Sequence, residues 1–161
     1  MERKIIENWN SVVKNEDTVY ILGDFCWSTD DEWDRILSLL NGQKVLIRGN
    51  HDLKNMTQKV RRHFQDVKDY KEISDNGRRV IMCHYPMPFY RADYNENVYH
   101  LYGHLHITVE ETYMQEIKKY IKERDIRGNS SDKCQLYNCW LGFYDYKPAT
   151  LDQIIERWRD T

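Results

Sequence analysis

Residues 102–106 read Tyr-Gly-His-Leu-His, and they follow an apolar run that begins at Val98. If this segment is extended, His104 and His106 lie on the same side, because alternate side chains of a strand share a face. Two imidazoles aimed in one direction are typical ligands of a transition metal, although a single histidine is more often a structural residue. The interpretation therefore depends on whether other predicted strands end in a similar way.

Three other apolar runs are also followed by a side chain that can bind a metal. Asp24, Asn50 and His84 each come one to three residues after a predicted buried strand. Ligands of open α/β folds bind beyond the carboxyl ends of the strands, so we expect these side chains and His104 to converge. One carboxylate, one amide oxygen and two imidazole nitrogens suit Mn, Fe or Zn, and they do not suit an all-oxygen calcium site.

The composition is that of one folded domain over residues 1–161, with 40% apolar and 13% aromatic residues. The net charge of −2 creates no general attraction to nucleic acids or membrane surfaces. No apolar run approaches the ~20 residues of a membrane-spanning helix. The four cysteines include no Cys-x-x-Cys pair, which indicates reduced thiols and a cytoplasmic protein. They are Cys26, Cys83, Cys134 and Cys139.

The spacing of apolar residues predicts alternating helices and strands, and a hairpin at Asn76-Gly77. Helices are expected at residues 2–14, from a capping box at 29–32 to 41–42, and at 56–64, 110–124 and 151–158. Strands are expected at residues 18–22, 45–47, 67–74, 79–83, 98–102 and 135–143. This order favours a layered α/β domain with one mixed sheet or two sheets.

These motifs together resemble the calcineurin-like metallophosphoesterase superfamily, most closely its small bacterial and phage members. In chain order the motifs are Gly23-Asp24, Gly49-Asn50-His51-Asp52, His84 and Gly103-His104-Leu105-His106. The resemblance implies a layered metallophosphoesterase-like fold, with mixed β-sheets flanked by helices. It also implies a phosphoesterase in which water attacks phosphorus with the help of two divalent transition metals, from among Mn, Fe, Zn and Ni.

The resemblance assigns metal ligands residue by residue. Asp24 would bridge the two metals, and its two carboxylate oxygens make that bridge feasible. Asn50, His84 and His104 would complete the second metal site. His106 would belong to the first metal site.

The resemblance makes His51 the catalytic residue rather than a metal ligand. His51 would contact the phosphate together with Asn50 and would protonate the leaving oxygen, and a side chain that titrates near neutral pH suits that task. Asp52 is expected to orient this imidazole or to cap the next helix. Arg48 is expected to be either a phosphate contact or an ordinary surface charge.

The sequence departs from the family pattern at its start. The family's first strand ends in Asp-x-His, whereas no histidine here has an aspartate two residues before it. The first metal site therefore retains only Asp24 and His106, and the activity should be impaired. We expect a chain truncated at its N-terminus and lacking the first strand of the fold. The alternative is a genuine short form that is weakly active or that completes its site with another chain.

The sequence-based hypothesis is a metal-dependent phosphoesterase acting on phosphomonoesters or phosphodiesters of small molecules or nucleotides. The alternative is a non-catalytic member that binds a metal or a partner protein. Binding of nucleic acid through the basic cluster at residues 59–63 is not favoured, because such a cluster is more often a solvated helix face. The helix at residues 110–124 is expected to pack on the domain through Tyr113, Ile117, Tyr120 and Ile121 rather than to cover the site. No membrane partner is expected, and the oligomeric state is left open.

Overall fold

The computed structural model describes residues 2–52, 56–123 and 134–159, which form two β-sheets flanked by helices. The α-helices of this described part are α1 (Glu2–Val12), α2 (Asp30–Leu39), α3 (Gln58–Arg61), α4 (Val109–Glu123) and α5 (Leu151–Arg157). The strands are β1 (Thr18–Ile21), β2 (Gln43–Ile47), β3 (Phe64–Lys68), β4 (Tyr70–Asp75), β5 (Arg78–Cys83), β6 (Val98–Tyr102) and β7 (Leu136–Asn138). A 3₁₀-helix spans Leu141–Tyr144. In these residues no helix is long and apolar enough to cross a membrane.

The two sheets place four strand ends at one edge of the molecule. The first sheet is parallel, in the order β1-β2-β3. The second has the order β4-β5-β6-β7, with β4 antiparallel to β5 and the remaining pairs parallel. The predicted ligands follow β1, β2, β5 and β6, all of which have parallel neighbours. This architecture confirms the layered α/β fold with mixed sheets. Within the described residues, β1 pairs only with β2.

Strand β2 lies between the two layers of the core, which explains its continuous apolar sequence. Val45 and Ile47 point to a cluster shared with the second sheet and α5. Leu46 points the other way, to Trp33 of α2. All three β2 side chains are at most 3% exposed, as expected for a parallel strand covered on both faces. The carboxyl end of β2 is therefore rigidly held where the site begins.

The single strand expected at residues 67–74 is wrong. The chain forms two strands that belong to different sheets, β3 and β4, and Asp69 lies between them. Val67 packs with the cluster beneath α2, whereas Ile73 packs with the cluster between the sheets. Because both side chains are apolar, the sequence pattern gives no sign that the chain passes from one sheet to the other between them.

The hairpin and the strand before the histidine pair agree with the sequence. Asn76 and Gly77 have φ values of +50° and +83°, as a tight hairpin turn requires. They join β4 to β5 with Asp75 opposite Arg78. Strand β6 has the predicted bounds.

Two predicted segments and one predicted capping box differ from expectation. The helix at 56–64 shortens to α3 because Phe64 enters β3. The segment at 135–143 contains the short β7 and then a 3₁₀-helix. Thr29 accepts a hydrogen bond from the backbone of Glu32 at 3.4 Å, which is one half of the predicted capping box. A complete capping box is found instead at α5, between Thr150 and Gln153. The loop expected at 127–133 lies outside the described residues.

Helix α4 buries a different face from the one expected. Tyr113 and Tyr120 are 61% and 54% exposed. The buried residues are Glu111, Met114 and Lys118. The Glu111 carboxylate accepts a hydrogen bond from the Tyr102 hydroxyl at 2.8 Å. Lys118 places its ammonium 5.2 Å from the ring of Tyr137. Because the inward face of α4 carries Glu111, Met114 and Lys118, the expected packing through Tyr113, Ile117 and Tyr120 is wrong. Of the four side chains expected to pack, only Ile121 lies partly against the core.

Candidate metal centre

The loop after β1 turns sharply at Gly23 and Asp24. Their φ values are +86° and +52°, so two consecutive residues are left-handed. That conformation costs a residue with a Cβ about 1–2 kcal/mol, so other contacts must hold Asp24 there. Its Oδ1 accepts the backbone N–H of His51 at 2.9 Å. Gly23 is required as well, since a Cβ at this position would lie 2.5 Å from the backbone nitrogen of Gly49.

Gly49, after β2, allows three loops to approach one another. A Cβ at this position would overlap the Asp24 carboxylate and would lie 2.6 Å from the Asp24 backbone nitrogen. It would also lie 2.8 Å from the imidazole carbon Cε1 of His84. Such contacts are shorter than packed atoms tolerate, so a glycine is needed for Asp24 and His84 to come together.

Asp52 ties the loops after β1 and β2 to each other. Its side chain is buried, at 5% exposure of the residue. The carboxylate accepts backbone N–H groups from Gly49 at 2.8 Å, Phe25 at 2.9 Å and Asp24 at 3.1 Å. Asp52 thus fixes backbone rather than taking either role expected from the sequence.

Four predicted ligand atoms meet at the Nε2 atom of His84. This nitrogen lies 3.0 Å from Asn50 Oδ1, 3.0 Å from His104 Nδ1 and 3.5 Å from Asp24 Oδ2. One ligand atom each from Asp24, His84 and His104 lies within 4.8 Å of the others. The structure therefore brings together the four residues that the sequence assigned to the second site.

The protonation of His84 makes this cluster rich in electron pairs. Its Nδ1 lies 2.7 Å from the carbonyl oxygen of Leu22. Because a carbonyl only accepts, Nδ1 carries the proton, and the Nε2 of a neutral His84 presents a lone pair. That lone pair faces the Asn50 carbonyl oxygen and the Asp24 carboxylate. A cation between these atoms would compensate the lone pairs, and two nitrogens with two oxygens fit a first-row divalent metal.

Burial favours the neutral form of His104, which is the form that binds metals. Loss of hydration lowers the pKa of His104, the neighbouring imidazole of His84 disfavours a second charge there, and the Asp24 carboxylate opposes the shift. His84 itself is only 1% exposed. A metal bound here would replace the hydration that these imidazoles have lost.

His51 lies at the edge of the cluster with its side chain exposed. Its imidazole contacts the indole of Trp27, with ring centres 4.4 Å apart. Its backbone is fixed to Asp24, as described above. The ring is therefore close to the predicted ligands and open to a bound substrate.

His106 lies outside the cluster of Asp24, His84 and His104, and its assignment to the first metal site stays a prediction. Strand β6 ends at Tyr102, and His106 adopts φ +48° within a turn. Strand alternation no longer applies there. The His106 ring stacks on Trp140 with centres 5.8 Å apart. Among the described residues, His106 is outside the group of side chains close enough to share one ion.

A cleft of about 370 Å³ opens beside the cluster. Its lining residues are Arg48, Gly49, Asn50, Asp52, Asp69, Cys83, His84 and Tyr85. Arg48 donates two hydrogen bonds of 2.8 Å to the Asp69 carboxylate. Tyr85 lies with its ring centre 4.7 Å from that of His104. The sequence offered one signal for Tyr85, its position directly after a predicted ligand, and none for the pairing of Arg48 with Asp69.

Comparison with known proteins agrees with the fold and the motifs. A family model described as a calcineurin-like phosphoesterase superfamily domain matches residues 1–122, about three quarters of the chain. The uncharacterized protein MJ1445 of Methanocaldococcus jannaschii is 28% identical over 158 residues, which are 97% of this chain and 74% of that protein.

A solved structure shows a similar fold. The crystal structure of AQ665, a protein of unknown function from Aquifex aeolicus, matches with a TM-score of 0.68 and 30% identity. The match covers 96% of this chain and 83% of the other. Neither relative is described by an activity, so the chemistry of the site has to suggest one.

Proposed function

The chain belongs to the calcineurin-like phosphoesterase superfamily, and from this premise we propose that it hydrolyses phosphoesters with a divalent transition metal. The observation that carries the proposal is the convergence of lone pairs at His84 Nε2. Three potential ligand atoms, from Asn50, His104 and Asp24, surround this nitrogen at 3.0–3.5 Å. A purely structural role does not require four potential ligand atoms to be grouped in this way.

We assign the metal to Asp24, Asn50, His84 and His104. These residues would hold a divalent cation, which when bound would supply Lewis acidity toward a phosphoryl oxygen and toward water. The protein residues do the remaining work. The Leu22 carbonyl holds the His84 ring in one tautomer, and the Asp52 carboxylate keeps the loops of Asp24 and Asn50 in register.

His51 is the proposed general acid. Its imidazole is exposed beside the cluster, and its backbone N–H is fixed by Asp24. It is therefore placed to hold a proton next to the leaving oxygen of a phosphoester bound through Asn50. General acids in such positions typically accelerate reactions by about 10²–10⁴-fold.

A small phosphoester or a nucleotide is a better substrate than nucleic acid. In the basic cluster, Lys59 pairs with Asp31 at 2.6 Å, and Arg62 pairs with Asp34 at 2.8 Å. His63 also contacts Asp34. The carboxylates of α2 already pair with these charges, which argues against a surface that binds the phosphate backbone of a nucleic acid.

The direct test is hydrolysis of bis-p-nitrophenyl phosphate with and without Mn²⁺. The proposal expects Mn²⁺-dependent release of nitrophenolate, and a loss of at least about 100-fold in the Asp24→Asn variant. The matched control is His63→Ala, a histidine that pairs with α2 and should leave the rate unchanged. Equal rates for Asp24→Asn and wild type would contradict the proposal.

A non-catalytic metal-binding role is the second candidate, and the position of His106 favours it. With His106 stacked on Trp140, the described residues contain one ligand cluster rather than the pair that clamps both oxygens of a displacement. One bound metal per chain without hydrolysis of any phosphoester would support this role. Robust turnover would eliminate it.

A further inference from the structure

Trp27 is the most conspicuous aromatic residue beside the candidate site. It follows Asp24 on the loop after β1, and 73% of its surface is exposed. Its aromatic neighbours on the same stretch, Phe25 and Trp33, instead pack against each other with ring centres 5.0 Å apart. An indole exposed to water forgoes the stabilisation of about 25 cal/mol per Å² that burial of its apolar surface would provide. The exposure therefore points to a surface that is covered when something binds.

The contact of Trp27 identifies which part of a substrate would cover it. Its indole lies 4.4 Å from the imidazole of His51, tilted by 41°. The exposed Tyr85 differs, because its ring lies against His84 and His104, two proposed metal ligands that it can support. Trp27 touches the proposed general acid. A group that contacts the exposed indole on the side of His51 is consequently next to the leaving oxygen.

The charge of the cleft limits the kind of ligand. Arg48 is the one lysine or arginine among the described residues that line it, and Asp69 already engages its guanidinium through two hydrogen bonds. The negative charges of a ligand with several phosphates would therefore have few positive side chains to pair with in this cleft. One phosphoryl group at the metal therefore matches the residues that line the cleft, and an uncharged flat group matches the exposed indole of Trp27, which lies outside that lining.

We propose that Trp27 binds, by stacking, a planar ring carried on the leaving alcohol of the substrate, which makes the substrate class aryl or nucleoside phosphoesters. This inference rests on the proposed function. Planar rings stack on an indole through offset or tilted arrangements, which a saturated ring of similar size cannot reproduce. Trp27 is then a specificity-determining residue that touches the leaving group.

The test compares benzylphosphonate with cyclohexylmethylphosphonate by calorimetry on the Mn²⁺-loaded protein. The two ligands resist hydrolysis and differ in whether the ring is flat. The wild type should bind benzylphosphonate about three- to tenfold more tightly. Trp27→Ala should reduce this ratio to within about twofold, whereas Trp27→Phe should keep most of it. The control is Tyr113→Ala, an exposed aromatic residue of α4, which should retain the wild-type ratio.

The corresponding phosphate monoesters show whether the preference extends to turnover. Benzyl and cyclohexylmethyl alcohols have similar acidity, so a difference in kcat/KM reports the ring rather than the leaving group. Thymidylate against ribose phosphate distinguishes a nucleoside from a simple aryl substrate. If Trp27 only supports His51, Trp27→Ala will lower kcat on both esters equally and leave the phosphonate ratio unchanged, which overturns the inference.

The failures of the two proposals are distinguishable. Equal binding of the two phosphonates with normal ester hydrolysis refutes the stacking surface alone. Absence of hydrolysis with every ester refutes the phosphoesterase, and the phosphonate ratio then tests only whether Trp27 stacks on a planar ring. A wild-type ratio near one refutes that role in either case.

Discussion

Replacing Asp52 by alanine should separate the two loops that carry Asp24 and Asn50. The carboxylate accepts three backbone N–H groups, at 2.8, 2.9 and 3.1 Å, and it is 5% exposed. Hydrogen bonds to a charged acceptor contribute about 1.5–3 kcal/mol each, although water can reach part of this region after the side chain is removed. We therefore expect Asp52→Ala to lower the free energy of unfolding by about 3–5 kcal/mol.

Asp52→Asn provides a graded comparison. An amide oxygen in the position of Oδ2 can still accept from Gly49 and Asp24, while the amide nitrogen would face the N–H of Phe25. Losing one of three hydrogen bonds should cost about 1–2 kcal/mol. The Mn²⁺ affinity should fall in the same order, because both loops carry proposed ligands.

Urea unfolding followed by tryptophan fluorescence measures these differences. With an m-value of about 2 kcal/mol/M, Asp52→Ala should lower the midpoint by about 2 M. The control is Asp69→Ala, whose carboxylate is 74% exposed and whose pairing with Arg48 should barely affect the midpoint. If Asp52→Ala unfolds within about 0.5 kcal/mol of the wild type, the loops are held by something other than this carboxylate.

Three further predictions follow from the same contacts. Gly49→Ala should weaken Mn²⁺ binding at least about tenfold in a titration, since its Cβ would displace Asp24 and His84; unchanged affinity would show that the loops do not need this close approach. His51→Ala should reduce kcat for benzyl phosphate by about 10²–10³-fold but affect nitrophenyl esters much less, because nitrophenolate leaves without a proton; equal losses on both esters would argue against a general acid. Burial lowers the pKa of Lys118 from 10.5 to about 8, so the unfolded chain binds this proton more strongly than the folded chain. The resulting loss of folding stability is complete below pH 8 and fades as the pH approaches 10.5. Lys118→Met should therefore raise the free energy of unfolding at pH 7, by at most about 3 kcal/mol, with a smaller gain at pH 10; a gain that is independent of pH would contradict a buried charge.

The strands and the ligands that follow them were accessible from the sequence because they depend on local patterns. Strand β6 and the hairpin at Asn76-Gly77 have the predicted positions. A buried parallel strand is apolar throughout, so β1 and β2 were visible as short runs, and the side chains after them were obvious candidates. The convergence of Asp24, Asn50, His84 and His104 then followed from the rule that ligands gather at strand ends.

The remaining errors arise where distant residues decide the outcome. Glu111 is buried because Tyr102 and Asn138 donate hydrogen bonds to it, and no pattern within α4 shows those partners. Asp52 bonds the backbone of Asp24 and Phe25, 28 and 27 residues away. The left-handed φ of His106 interrupts the strand alternation from which a shared direction with His104 was expected.

The most direct test of the account is the number of Mn²⁺ ions bound per chain, measured by metal analysis after equilibrium dialysis. The wild type should bind at least one Mn²⁺ per chain. His84→Gln removes the nitrogen at which the other ligand atoms converge, so it should bind none at the same free Mn²⁺ concentration, while His63→Gln should match the wild type. If His84→Gln binds as much Mn²⁺ as the wild type, the four residues do not form the metal centre.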